Sequence, residues 1–107
     1  MLYNISIKGV DTMLTIKRIS EIVSGIAQEY DIKKITLFGS YADGRNTPQS
    51  DIDLLVEFNS ENVSLLTIAS LKYKLEELFG IDVDVIHAPL DKDAMIVPQR
   101  MVEIYAA

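Results

Sequence analysis

The chain lacks cysteine and long apolar runs, and each absence removes a class of protein. Without cysteine it can form neither a disulfide framework nor a thiolate metal site, so nothing in it suggests secretion. Charged residues interrupt the apolar runs well short of the roughly 20 residues that span a bilayer, and no signal-peptide pattern opens the chain. We therefore expect a cytoplasmic protein that does not bind membranes.

The chain also lacks an excess of positive charge, since its formal net charge is −6. Nonspecific affinity for DNA or RNA comes mainly from neutralising phosphates, so this balance argues against direct nucleic-acid binding. A length of 107 residues fits one domain with its own core. We place that domain at residues 13–107 and interpret residues 1–12 as an N-terminal extension.

Apolar side chains recur at helical spacing in two long segments, residues 15–29 and 65–79. Thr15 can cap the start of the first helix, and Gly80 marks the end of the second. A third segment, residues 91–96, is compatible with a helix. The sequence therefore predicts at least two helices that each present one apolar face.

Short apolar segments predict strands at residues 35–38, 52–58 and 81–86. Residues 102–105 fit either a helix or a short edge strand. Taken in chain order, helices and strands alternate, which predicts an α/β (α+β) fold: a small mixed sheet with helices packed on one face.

Two carboxylates follow a Gly-Ser turn at a fixed distance. The first strand runs into Gly39-Ser40, ten residues separate Ser40 from Asp51, and Asp53 follows two positions later. Because side chains alternate along a strand, Asp51 and Asp53 project to the same face, about 7 Å apart at their α carbons. Two such carboxylates suit magnesium, which also takes substrate phosphates and water as ligands.

The strand at residues 81–86 offers a third carboxylate, because Asp82 and Asp84 share the face opposite its apolar side chains. If this strand lies beside the one that carries Asp53, one of the two aspartates completes a clamp for two metal ions. The periodicity does not choose between Asp82 and Asp84.

Simpler interpretations exist for each part. A Gly-Ser pair after a strand is usually a plain turn, and an Asp-x-Asp pair is usually a solvated strand face. Like charges gathered on one sheet face lower stability unless something binds there, so the combination favours a nucleotide and metal site. The lone His87 has no partner residues of the metal-ligand type nearby in sequence, and we interpret it as structural.

The run GSYADGRNTPQSDIDLLVEF, followed by VDVI, resembles the minimal nucleotidyltransferases, or MNT domains, of the polymerase-beta superfamily. The resemblance implies a palm-like nucleotidyltransferase fold. It also implies that Gly39 and Ser40 bind the triphosphate, that Asp51 and Asp53 hold the metals, and that Asp84 is the third carboxylate.

One position departs from the family pattern. Many members carry arginine where this chain has Asp43, which leaves Arg45 as the candidate for a phosphate contact. The resemblance implies two Mg²⁺ ions, ATP as the donor substrate, and transfer of AMP to an acceptor hydroxyl.

Stand-alone chains of this size are similar to the antitoxin partners of HEPN ribonuclease toxins. The resemblance therefore implies a HEPN-type partner whose tyrosine, or a similar hydroxyl, receives AMP within a homo- or hetero-oligomer. Two alternatives remain open: a non-catalytic antitoxin or scaffold that binds its partner through a vestigial nucleotide domain, and transfer to a small molecule.

Overall fold

The computed structural model describes residues 14–60, 62–87 and 100–107. Three α-helices and a 3-10 turn alternate with four strands, in the order α1 (Ile16–Ile26), the 3-10 turn (Ala27–Tyr30), β1 (Ile32–Phe38), α2 (Ser40–Asp43), β2 (Ile52–Phe58), α3 (Leu65–Phe79), β3 (Val83–His87) and β4 (Val102–Ala106). Within these ranges no helix is both long enough and apolar enough to cross a membrane. The predicted extension at residues 1–12 and the predicted helix at 91–96 lie outside the described residues.

The strands form one sheet in the order β3-β2-β1-β4. β1 pairs antiparallel with β2 and with β4, whereas β2 and β3 run parallel. Such a parallel pair needs a crossover connection, and α3 supplies it. The sheet is therefore mixed, as the sequence predicts.

The core lies on one face of the sheet, beneath α1 and α3. Exposure alternates along β2, where the core side chains alternate with half-buried ones, among them Asp53. Buried side chains from α1, α3 and all four strands form one cluster that includes Ile19, Val23, Leu54 and Leu71. The helices thus pack on the face opposite the aspartates, which confirms the predicted fold.

The ends of the two long helices follow local signals. The Thr15 hydroxyl accepts a hydrogen bond from the Arg18 N–H at 3.1 Å, and Ser64 caps α3 in the same way. Gly80 ends α3 in a left-handed conformation and donates its N–H to the Glu76 carbonyl. These caps explain why the bounds of α3 match the predicted ones.

Several boundaries differ from the expected ones. α1 ends at Ile26 rather than at residue 29, because the next four residues form the tighter 3-10 turn. Asp31 follows in a left-handed conformation, with a φ of 54°. β1 begins at Ile32, three residues earlier than predicted. β3 begins at Val83, so Asp82 lies just before the strand. The ambiguous segment near the C-terminus forms the edge strand β4.

Candidate active site

Asp53 and Asp84 lie opposite each other on neighbouring strands. The parallel register pairs Ile52 with Val83 and Asp53 with Asp84, and the Ile52 N–H donates to the Asp82 carbonyl at 3.0 Å. Neighbouring strands are about 4.8 Å apart, so the two carboxyl groups project side by side. Register thus makes Asp84, rather than Asp82, the cross-strand partner of Asp53.

Asp51 lies immediately before β2 and is exposed, whereas Asp53 is half-buried. The pKa of Asp53 is raised to about 6, and burial is the largest cause. The charge of Asp84, the hydrogen bond that a protonated Asp53 can make to Asp84, and the charge of Asp51 contribute in the same direction. Within the described ranges, none of these three aspartates forms a salt bridge with lysine or arginine. Among the described residues, therefore, no direct ion pair offsets the repulsion between these carboxylates.

This arrangement predicts a pH-dependent loss of stability in the metal-free protein. The pKa of Asp53 is raised from about 3.9 in the unfolded chain, so the folded state binds more protons between about pH 4 and 7 and its stability falls as pH rises through that window. After allowance for solvent screening we expect a loss of about 1–2 kcal/mol, constant above about pH 7. Urea unfolding of the wild type and of Asp53→Asn, without divalent ions and over a range of pH, measures this loss. The unfolding free energies of the two proteins should converge near pH 4. A difference between them that does not change with pH would show that Asp53 is not the titrating group.

The carboxylates suit a cation that needs further ligands. Across residues 14–60, 62–87 and 100–107, no three carboxylate, histidine or cysteine side chains converge closely enough to enclose an ion by themselves. Magnesium takes one or two carboxylates and fills its remaining positions with water and substrate phosphates. Asp53 and Asp84, with Asp51 beside them, fit that requirement, and a divalent cation would offset their mutual repulsion.

Gly39 packs directly against the carboxylate of Asp53. Its φ of 78° and ψ of −156° lie in a region that is essentially restricted to glycine. A β carbon at this position would overlap Asp53 Oδ2 and lie 3.1 Å from Cγ. Glycine is thus required both by the backbone conformation and by the carboxylate beside it.

Ser40 opens α2, a single helical turn at the end of β1. The Asp43 N–H donates to the Gly39 carbonyl, and the Arg45 N–H donates to the Ser40 carbonyl. In so short a turn the first backbone N–H groups have no partner within the helix. They are available to an anion beside Asp53, although one turn has only a small dipole.

Arg45 lies in the loop that follows α2. Its guanidinium is exposed and pairs with the Asp43 carboxylate, with Nη2 and Oδ2 2.8 Å apart. The structure therefore shows a partner for Arg45 at the end of α2, and the predicted phosphate contact stays a prediction.

His87 packs edge-on against Phe58, with ring centroids 5.5 Å apart, as expected of a structural residue. Sequence reasoning missed Lys72 and Glu76, whose side chains contact the first residue of β3. Their i,i+4 spacing on a predicted helix is visible in the sequence, but the contact with β3 is not.

Comparison with known proteins identifies the family of this chain. The family model for the nucleotidyltransferase domain matches residues 16–104. A candidate protein adenylyltransferase of Methanocaldococcus jannaschii, MJ0435, is 42% identical over 88 residues, which cover 78% of this chain and 92% of the relative. The protein adenylyltransferase MntA of Thermococcus cleftensis is 36% identical over 78 residues, covering 69% and 78% of the two chains.

Among solved structures, a rebuilt complex of the tri-AMPylated Shewanella oneidensis HEPN toxin with its MNT antitoxin contains a similar chain. The TM-score is 0.62 at 18% identity, covering 87% of this chain and 74% of the other. Identity at this level supports the fold alone, whereas the family model covers most of the sequence. The chain belongs to the nucleotidyltransferase domain family, and its fold and enzyme class are those of a nucleotidyltransferase.

Proposed function

We propose that this chain is a cytoplasmic, magnesium-dependent protein adenylyltransferase that transfers AMP from ATP to a tyrosine hydroxyl of a HEPN-type toxin and thereby acts as its antitoxin. The observation that carries the proposal is the cross-strand pair of Asp53 and Asp84 beside the Gly39 turn. Carboxylates next to the first backbone N–H groups of a helical turn can bind the two ends of a metal-bound triphosphate.

The donor would lie across the turn and the start of β2. Backbone N–H groups at Gly39 and Ser40 bind phosphate oxygens, and the absent β carbon of Gly39 leaves room for the Asp53 carboxylate. Asp51 and Asp53, together with Asp84, would hold two Mg²⁺ ions. When bound, the ions neutralise the charge that develops on the attacking and leaving oxygens.

The acceptor hydroxyl attacks the α phosphorus of ATP in line with the departing pyrophosphate. The new bond joins the acceptor oxygen to phosphorus, and the bond from the α phosphorus to the bridging oxygen breaks. Asp84 is exposed on the open face and accepts the proton of the acceptor hydroxyl. The raised pKa of Asp53 means that its ionised form is disfavoured in the absence of a cation. A bound cation would stabilise that ionised form, so Asp53 suits the role of metal ligand.

Support for a protein acceptor comes from the relatives. Both relatives described above bear the name of protein adenylyltransferases, one of them as a candidate. The Shewanella complex pairs an MNT antitoxin with a HEPN toxin that carries three AMP groups. A HEPN protein encoded beside this chain is accordingly the first acceptor to test.

The test is transfer of adenylate to that HEPN protein. With ATP and Mg²⁺ we expect the partner to gain the mass of at least one adenylate, and we expect EDTA or a Tyr→Phe change at the modified position to abolish the gain. Intact-mass spectrometry followed by peptide mapping measures both. The matched control is Glu57→Gln, which removes a negative charge from the same strand where Glu57 pairs with Lys33, and which should transfer normally.

One observation favours a second candidate, the non-catalytic binding module: Arg45, the candidate phosphate contact, pairs with Asp43, which stands where many family members carry arginine. That module would neutralise its partner by contact alone. No mass gain, together with unchanged neutralisation of the toxin by an Asp51→Asn, Asp53→Asn double variant, would establish it in place of the enzyme.

A further inference from the structure

Two side chains of α3 bind the backbone of β3 at its first residue. Lys72 Nζ donates to the Val83 carbonyl at 2.8 Å, and the Val83 N–H donates to Glu76 Oε2 at 3.0 Å. The same Glu76 oxygen accepts a hydrogen bond from Lys72 Nζ at 2.6 Å. Lys72, Glu76 and the Val83 peptide groups thus form a closed cycle, which we call the edge clasp.

The edge clasp binds backbone groups of Val83 that receive no partner from β2. Along a strand the backbone groups of successive residues point alternately to the two sides. The Asp82 carbonyl accepts from Ile52 on β2, so the peptide groups of Val83 point away from β2, toward the outer edge of the sheet. The clasp therefore holds the backbone one residue before Asp84, on the side where the sheet of the described residues has no further strand.

The clasp is not needed to attach α3 to the sheet. Leu71 and Leu75 are fully buried in the core and hold the helix by apolar packing. The clasp residues are themselves partly shielded from solvent: 37% of the Lys72 side chain and 22% of the Glu76 side chain are exposed. Their ion pair contrasts with Lys74–Glu77 on the same helix, where the atoms are 3.8 Å apart and Glu77 is 75% exposed.

Electrostatics support the stability of the clasp. The hydrogen bond from Lys72, followed by the one from the Val83 N–H, lowers the pKa of Glu76. The hydrogen bond to Glu76 raises the pKa of Lys72, and the charges of Asp84 and Asp82 contribute in the same direction. Lys72 therefore stays charged near Asp84, while Glu76 uses one oxygen to hold both Lys72 and the strand.

We propose that Lys72 and Glu76 are positioning residues that fix the backbone at Val83 and thereby hold the Asp84 carboxylate against Asp53 for binding of Mg²⁺ with the nucleotide. The inference rests on the proposed function, because it needs Asp84 to be a metal ligand. Residues that orient metal ligands without touching the metal typically change metal affinity by about 10- to 100-fold when they are mutated. The clasp acts on β3, which among the described strands has β2 as its single neighbour.

The test compares Lys72→Met, which removes the donor to the Val83 carbonyl, with Lys74→Met as a control of equal charge on the same helix. The probe is Mg²⁺ titrated at fixed α,β-methylene ATP, whose α–β bond cannot be cleaved, and the readout is the melting temperature. We expect Lys72→Met to raise the Mg²⁺ concentration for half-maximal stabilisation by about 10-fold. Lys74→Met should leave that concentration unchanged, and Lys72→Arg should recover most of the affinity.

A second measurement separates positioning from general damage. Amide hydrogen exchange by NMR, without metal or nucleotide, should be faster at Val83 and Asp84 in Lys72→Met and unchanged at Leu54 in the core. If Lys72→Met folds poorly, Glu76→Gln keeps an oxygen for the Val83 N–H and should show a smaller loss of Mg²⁺ affinity. Unchanged Mg²⁺ dependence in these variants, despite faster exchange at Val83, would overturn the inference.

Failure of the proposed function is visible separately. If Mg²⁺ and the nucleotide do not stabilise the wild type, the proposed metal site is rejected, and the proposed function with it. A wild type that binds both, with clasp variants that behave like Lys74→Met, would leave the function intact and reject only the positioning role.

Discussion

Asp53→Asn is expected to reduce adenylate transfer by about a thousandfold or more. The change replaces a charged ligand with a neutral one at the position that faces Asp84. A metal ion contributes several kcal/mol of charge stabilisation to a phosphoryl transition state, and each 1.36 kcal/mol is a factor of ten in rate. Initial rates of adenylate transfer from labelled ATP, at saturating Mg²⁺, measure the loss.

The same change should make the metal-free protein more stable near neutral pH, because it removes a charge that Asp84 and Asp51 repel. A gain of about 1–2 kcal/mol corresponds to a rise in melting temperature of roughly 5–10 °C in a domain of this size. Asp51→Asn is the matched comparison: Asp51 is exposed, so we expect loss of transfer with little change in melting temperature. Transfer by Asp53→Asn within tenfold of wild type would show that Asp53 is not a ligand.

Gly39→Ala is the second change with a large expected effect. Its new β carbon would overlap Asp53 Oδ2 and would impose a side chain on a backbone conformation that is essentially restricted to glycine. We expect a loss of about 2–4 kcal/mol in unfolding free energy and at least a hundredfold loss of transfer, because the Asp53 carboxylate must move. Urea unfolding and the transfer assay measure the two effects.

Gly44 provides the control for backbone strain alone. It also has a positive φ, 74°, but an added β carbon would meet nothing within 4 Å. Gly44→Ala should therefore lower stability by about 1 kcal/mol and leave transfer nearly unchanged.

A double-mutant cycle isolates the overlap at Gly39. In an Asp53→Ala background, Gly39→Ala should lower stability less than it does in the wild type, because the overlapping carboxylate is gone. Equal losses in both backgrounds would show that the strain resides in the backbone and that Gly39 does not constrain Asp53.

The sequence predicted best where structure depends on local pattern. The bounds of β2 follow from strict alternation, and those of α3 follow from the helical spacing of its apolar residues and from Gly80. The side of β2 that Asp53 occupies is a consequence of the same alternation. These features need no knowledge of which segments meet.

Long-range pairing decided the features that the sequence left open. Residues 102–105 carry too short a pattern to separate helix from strand, and pairing with β1 determines the outcome. The choice between Asp82 and Asp84 as the neighbour of Asp53 depends on the register of β2 and β3, which the periodicity of each strand does not determine. The clasp was missed for the same reason: Lys72 and Glu76 are neighbours in α3, but Val83 reaches them only after the chain has folded back.

The β4 edge of the sheet bears on how the molecule behaves at high concentration. Pairing jumps from Tyr105 opposite Ile35 to Glu103 opposite Thr36, so Ile104 is an extra residue in the strand, and its carbonyl accepts a hydrogen bond from the Ser20 hydroxyl. A bulged strand offers a second molecule no regular row of free peptide groups, and bulges are a known protection against edge-to-edge aggregation. Growth of the described sheet from this edge into fibrillar or swapped assemblies is thereby disfavoured.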